Sequence, residues 1–142
     1  SPGKIQKKKD LPSIIAAHGT PYVSTASVAQ LKDLEKKVKK AMSYYGPRYI
    51  QIDTPCPSVW GFPSDRTLEV ARLGINSGLF PLFEMEEGKI VKSRKIRKRI
   101  PVDEYLEYQK RFRHLFSDSG THRETEYIQA LADENIEKFD LL

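Results

Sequence analysis

The stretch that most constrains this chain runs from Pro21 to Asp53, where two short runs, PYVST and RYIQID, flank one long amphipathic segment. Tyr22, Val23 and Thr25 suit a pleated surface, and Ile50 and Ile52 share one face of the second run. Between them Val28, Leu31, Leu34, Val38, Ala41, Met42 and Tyr45 recur at helical spacing, whereas Lys32, Asp33, Lys36, Lys37, Lys39 and Lys40 fall mostly on the other side. That periodicity predicts a helix whose apolar face is buried and whose lysine face is wet. Ser27 and Gln30 have the spacing of a capping box at its start, and Gly46-Pro47 ends it. Strand, helix and strand within 33 residues make a βαβ unit, with parallel strands and a right-handed crossover. The fold class is therefore α/β.

Upstream, DLPSIIAAHG reads as a short helix capped by Asp10, with Pro12 in its first turn and Gly19 beyond its end. Downstream, Ser64 is placed to cap a helix through TLEVARLGINSG, apolar on Leu68, Ala71 and Ile75 and stopped by Gly78. PLFEMEEGKIVKSRKI reads as a hairpin turning at Glu86 to Gly88, with a return strand too basic for the middle of a sheet. PVDEYLEYQKRFRHLF puts Val102, Tyr105, Leu106, Gln109, Phe112, Leu115 and Phe116 on one helical face. After an SDSGT linker, ETEYIQALADENIEKF repeats the pattern with Ile128, Leu131, Ala132, Ile136 and Phe139. The expected division is an α/β part over residues 1–80 and a hairpin with a two-helix extension over 81–142.

An apolar fraction of 39% with 30% charged residues indicates a folding, globular chain. No run approaches the roughly 20 apolar residues that span a bilayer. The basic start, SPGKIQKKKD, has no apolar run behind it, so it does not read as a signal peptide. A single cysteine forms no internal disulfide, in keeping with a reducing compartment; a soluble, cytoplasmic protein without membrane contact is expected. The chain opens on Ser1 within a Pro-Gly loop, and a piece of something longer is expected. The net charge of +5 concentrates in KKK at 7–9, in four lysines among 36–40, and in KIVKSRKIRKR at 89–99, which holds seven basic residues and no acid. Without aromatic residues interleaved for base stacking, that run argues against nucleic acid and fits an acidic protein partner as well.

No phosphate loop of the GxxxxGK type, no GxGxxG, no GxSxG and no HExxH occurs, so nucleotide and hydrolase readings lack a motif. His18, His114 and His122 are far apart and pair with no second cysteine, and none is assigned a catalytic role. What remains is Cys56 in DTPCPSVWGFP. It follows the carboxyl end of the second strand, where open α/β sheets place ligands. Pro55 and Pro57 fix their own φ angles and push Thr54 and Cys56 toward extended backbone, so the sulfur is aimed by a stiff loop. From the residues alone, three roles stay open: a buried structural thiol, a metal or cluster ligand, and a nucleophile. Trp60 and Phe62 are either ordinary core or a shield that keeps water from a cluster.

The runs HGTPYVSTAS, TPCP, WGF, SGLFPLFE and EYLEYQKRFRHL, taken together, resemble the carboxyl-terminal half of the thiamine-diphosphate-binding β subunit of the 2-oxoacid:ferredoxin oxidoreductases, of the pyruvate:ferredoxin oxidoreductase type. The resemblance covers nearly the whole chain from about residue 10. It implies a partial thiamine-diphosphate-binding fold over 1–80. It also implies an enzyme component that decarboxylates a 2-oxoacid on thiamine diphosphate with Mg2+, passes electrons singly through a [4Fe-4S] cluster to ferredoxin, and forms an acyl-coenzyme A. Cys56 would supply one cluster ligand, the other cysteines coming from the remaining half of the subunit, within a hetero-oligomer. The family's GDGD thiamine signature is absent, and SPGK at 1–4 resembles only the tail of the loop that follows it. No catalytic or thiamine-binding residue is carried over, and the chain alone is expected to be inactive. The competing expectation is a non-catalytic assembly or interaction module of the same fold, docking an acidic partner through its basic strand.

Overall fold

The computed structural model of the protein describes residues 7–117 and 122–142. The SPGK start and all but the first residue of the SDSGT linker lie outside them. The elements in order are α1 (Leu11–Ala17), β1 (Tyr22–Ser27), α2 (Leu31–Met42), β2 (Arg48–Asp53), α3 (Pro57–Trp60), α4 (Thr67–Asn76), β3 (Phe83–Glu86), β4 (Lys89–Ser93), α5 (Val102–Glu107) and α6 (His122–Lys138). Turns of 3-10 helix lead into α2 and α4, and a longer one spans Lys110–Phe116. The strands form one open sheet in the order β2-β1-β3-β4. β1 and β2 are parallel, Tyr22 opposite Arg48 and Ser27 opposite Asp53. β3 runs antiparallel to β1, and β4 antiparallel to β3. The α/β class and the parallel βαβ unit are thus observed.

Local chemistry explains most boundaries. Asp10 accepts the Ser13 N–H and caps α1 with Pro12 in the first turn. The hairpin turns on Glu87 and Gly88, both at positive φ, the pattern that matches the twist of the flanking strands. Its basic return strand, β4, is an edge. α4 ends at Gly78, whose φ of +84° is open to glycine. A β-carbon there would meet Ile136 Cγ1 at 2.8 Å, so α6 crosses directly over this glycine.

Three local expectations are corrected. The capping box is half formed: Ser27 Oγ accepts the Ala29 N–H at 3.3 Å, while Gln30 makes no cap, because a 3-10 turn intervenes before α2. Ser64 makes no side-chain cap either; its carbonyl accepts the Thr67 hydroxyl, and Leu68 is exposed, α4 burying Val70, Ala71, Gly74 and Ile75 instead. The segment PVDEYLEYQKRFRHLF is not one helix. α5 stops at Glu107 and Gln109 is extended, because its buried side-chain amide donates to the Tyr105 carbonyl at 2.7 Å, the group an α-helical Gln109 N–H would have bonded.

The two faces of the sheet differ in chemistry. On one, Val23, Phe83 and Met85 meet Ala16 of α1 and Ile96, Ile136, Phe139 and Leu141, with Phe83 and Phe139 stacked at 4.3 Å. On the other, under α2, Tyr22 donates to Glu84 at 3.0 Å, and Lys40 bridges Glu84 and Glu86 at 2.9 and 2.6 Å. Lys37, 3% exposed, donates to Asp33 and to the Thr25 carbonyl. The expected orientation of α2 is therefore corrected in part: Ala41 is buried and Lys32, Lys36 and Lys39 are exposed as the periodicity predicts. Asp33, Lys37 and Lys40, however, turn to the sheet, while Leu31, Val38 and Met42 of the helix, and Tyr45 just past its end, face solvent. The cause lies in β1 and β3, which present Tyr22 and Glu84 on that side and so select the lysines.

Candidate functional site

Because β1 and β2 are parallel, Ser27 and Asp53 finish side by side. The chain then turns through Thr54 and Pro55, and Pro55 is fully buried, which anchors the turn. Cys56 follows with extended backbone (φ −97°, ψ 108°) as the residue before the single turn of α3. Pro57 opens that turn, Trp60 N–H donates to the Cys56 carbonyl at 3.0 Å, and Gly61, at φ +73°, closes it. The two prolines do what their chemistry predicts, and the thiol sits half-exposed on a rigid corner.

The sulfur's surroundings favour its anion. The Val59 backbone N–H, followed by the Ser58 hydroxyl at 3.7 Å, holds the thiol below its ordinary value. A half-exposed sulfur with these donors is accessible for ligation or attack, and it is not a buried thiol. No group of three or more His, Cys, Asp or Glu with metal-holding geometry occurs among the described residues. Cys56 thus brings a single donor and, among the described residues, no complete site. His18 and His114 are exposed and stand apart from it.

Three further residues come to this end of the sheet. Asp53 is half-buried, and burial raises its carboxyl to about 6 against the opposing pull of the Ser27 hydroxyl, Lys8 and Arg111. Tyr105 faces it from α5, and burial, with the Asp53 charge adding, pushes its phenol up. Arg111 lies over the Trp60 ring at 3.9 Å and donates to the buried Gln109 side chain at 2.9 Å. Phe62 is buried and meets Trp60 edge to face at 6.3 Å. Gly61 lets this loop approach Lys110, where a β-carbon would come within 2.7 Å of Lys110 Cβ. The carboxyl-terminal segment therefore clamps the cysteine loop, setting a thiol, a carboxyl that burial raises to about 6 and a guanidinium at one end of a parallel pair. Sequence reading missed Asp53, Tyr105 and Arg111; only the position of Asp53 at the strand end, directly before TPCP, signalled one of them.

The opposite edge of the sheet carries a shallow cleft of about 290 Å3 between β4 and the end of α6, lined by Ile90, Lys92, Lys95 and Phe139 among others. Two strands separate it from the cysteine loop's strand. The basic run beside it is partly neutralised: Lys92 reaches Glu84, Lys95 reaches Asp140, and Arg99 reaches Asp133. No helix among the described residues is long and apolar enough to cross a membrane.

The chain is 48% identical over 139 residues to pyruvate synthase subunit PorB of Methanosarcina barkeri, a match covering 98% of this chain and 47% of that protein. It is 46% identical over 132 residues to the PorB of Methanocaldococcus jannaschii, covering 93% and 43% respectively. Ketoisovalerate oxidoreductase subunit VorB of Pyrococcus abyssi is 43% identical over 110 residues, 76% of this chain and 35% of that protein. No family model matches. The chain spans about half the length of the curated relatives it matches first. Fold and site define an open α/β segment built on a parallel βαβ unit, with an exposed thiol at a strand's carboxyl end, and the relatives that carry this sequence are oxidoreductase components. The chain is related, over nearly all its length, to the β subunits of the 2-oxoacid:ferredoxin oxidoreductases, of the pyruvate synthase type.

Proposed function

We propose that this chain is the cysteine-loop portion of a pyruvate:ferredoxin oxidoreductase and that Cys56 donates one thiolate to a [4Fe-4S] cluster completed by the remaining half of the β subunit. The observation that supports it best is the half-exposed Cys56 sulfur, its thiolate favoured by N–H and O–H donors, in a chain 48% identical to a PorB subunit. In the assembled hetero-oligomer the 2-oxoacid and coenzyme A give acyl-coenzyme A and carbon dioxide, and the released electron pair leaves one electron at a time to ferredoxin. Thiamine diphosphate with Mg2+ and the cluster supply that chemistry when bound. This chain's own residues hold a ligating sulfur on a stiff loop, cover the loop with Trp60 and Arg111, and raise the Asp53 carboxyl beside it to about 6. Within this reading, residues 1–80 are the carboxyl-terminal part of the thiamine-diphosphate-binding domain and 81–142 the extension that clamps its loop. The enzyme works in the cytoplasm. The alternative of a non-catalytic module docking through the basic strand is weakened by the internal pairing of Lys92, Lys95 and Arg99.

The test is anoxic co-expression with the missing half of a PorB subunit. Stoichiometric iron and sulfide with a visible cluster spectrum, lost in Cys56→Ala while the complex still assembles, is the expected result. Iron content and spectrum that are the same in Cys56→Ala would remove the ligand role.

A further inference from the structure

Helix α2 wears its apolar stripe on the outside. Leu31, Val38 and Met42 recur on one side of the helix, Tyr45 follows in the turn just past its end, and the four are 64%, 39%, 75% and 100% exposed, while Lys37 and Asp33 are tucked beneath. The sheet beside this stripe is also unfinished. Among the described residues β2 pairs only with β1, so its outer edge offers a row of unpaired backbone groups. Ile52 on that strand, on the α2 side, is 45% exposed. Parallel sheets are ordinarily covered on both faces and continued at their edges, so an open parallel edge flanked by an apolar helix face is half of an interface.

We propose that this stripe and the β2 edge form the seat for the remaining half of the PorB-type subunit, which adds a strand alongside β2 and packs an apolar element on Leu31, Val38, Met42 and Tyr45. The inference rests on the family reading and specifies the surface through which the two halves join. The occupant is argued from length: the matched relatives are about twice as long as the aligned region, and the missing chain must be accommodated somewhere. A second copy fits less well, because a two-fold axis would set the two β2 strands antiparallel to one another and leave the longer relatives' additional chain without this seat.

The experiment co-expresses this chain, tagged, with the part of Methanosarcina barkeri PorB that lies outside the aligned region, and measures dissociation of the purified complex by sedimentation on dilution. Met42→Glu and Tyr45→Glu are each expected to weaken association by at least about tenfold, as for a central interface side chain. Lys36→Glu, on the same helix but off the stripe, is expected to change it by less than about twofold. Both stripe positions are largely solvent-exposed, so the variants should melt like the parent chain; Tyr45→Glu alone decides the matter if Met42→Glu does not. Hydrogen exchange should show the outer β2 amides protected in the complex and open in the chain by itself. Association unaffected by both variants, or a dimer of this chain alone that Met42→Glu dissolves, would overturn the proposal. A variant-sensitive complex that never binds iron would leave the seat standing and sink the cluster reading, and an iron-loaded complex insensitive to the variants would do the reverse.

Discussion

Asp53 shows how one side chain's setting becomes a pH dependence. Its folded value of about 6 lies above the ordinary 3.8, so the folded state keeps its proton where the unfolded chain has released it. Stability is therefore greatest below the lower value and falls as pH rises toward the higher, by at most about 1.4 kcal/mol per pH unit. Above the higher value the loss is complete. Asp53→Asn stays neutral and is still able to accept from Ser27, so it should melt higher than the parent at neutral pH and match it in acid. Parallel melting curves of the two proteins across this range would show that Arg111 and Lys8 keep the carboxylate ionised in the folded state. Cys56 was legible as a candidate from its prolines and its place after a strand. Tyr105 and Arg111 were not, since nothing within the sequence connects them to a loop so far upstream.

Among the elements, α2 carries the clearest lesson. Its presence followed from periodicity, and its strands were equally legible, but it spans only Leu31–Met42, short of Gly46-Pro47, and its orientation was legible only in part. Periodicity reports that a helix has two faces; which face is turned inward depends on what the sheet presents. Here β1 and β3 supply Tyr22, Glu84 and the Thr25 carbonyl; Lys40 meets the first two and Lys37 donates to the third. Burial pulls the Lys37 ammonium below its ordinary value, opposed by Asp33, so this pair is held at some cost and only in company. Lys37→Met should therefore destabilise the chain by about 2 kcal/mol, by stranding Asp33 and the Thr25 carbonyl. Adding Asp33→Asn should recover part of that loss, as read from denaturant midpoints of the double-mutant cycle; strictly additive effects would show the two residues to be uncoupled. The break after α5 is similar in kind. Gln109 looked like a helix-face residue by spacing, and only burial of its side chain revealed that its amide takes over a backbone acceptor.

The described residues form an open sheet with one apolar face packed by α1 and the end of α6, and with β2 and β4 as its two unpaired edges. The chain spans about half the length of the relatives it matches first, and it lacks the GDGD run that the resemblance implies for thiamine binding. Titration calorimetry of this chain with thiamine diphosphate and Mg2+ should accordingly give no saturable heat, and saturable binding should appear once the missing half of the β subunit is co-expressed. Saturable binding by the chain alone would place thiamine contacts within residues 1–142. What the sequence determined unaided were the features set by neighbours along the chain: the βαβ unit through hydrophobic period and breakers, the hairpin through its Glu87-Gly88 turn, and the stiff cysteine loop through two prolines. What only the tertiary structure decided were the features set across the chain: the outward apolar face of α2, the free edge of β2, and the Asp53, Tyr105 and Arg111 grouping over the loop. Local propensities are written in spacing, whereas the partner a face or a charge will meet is chosen by packing between distant segments.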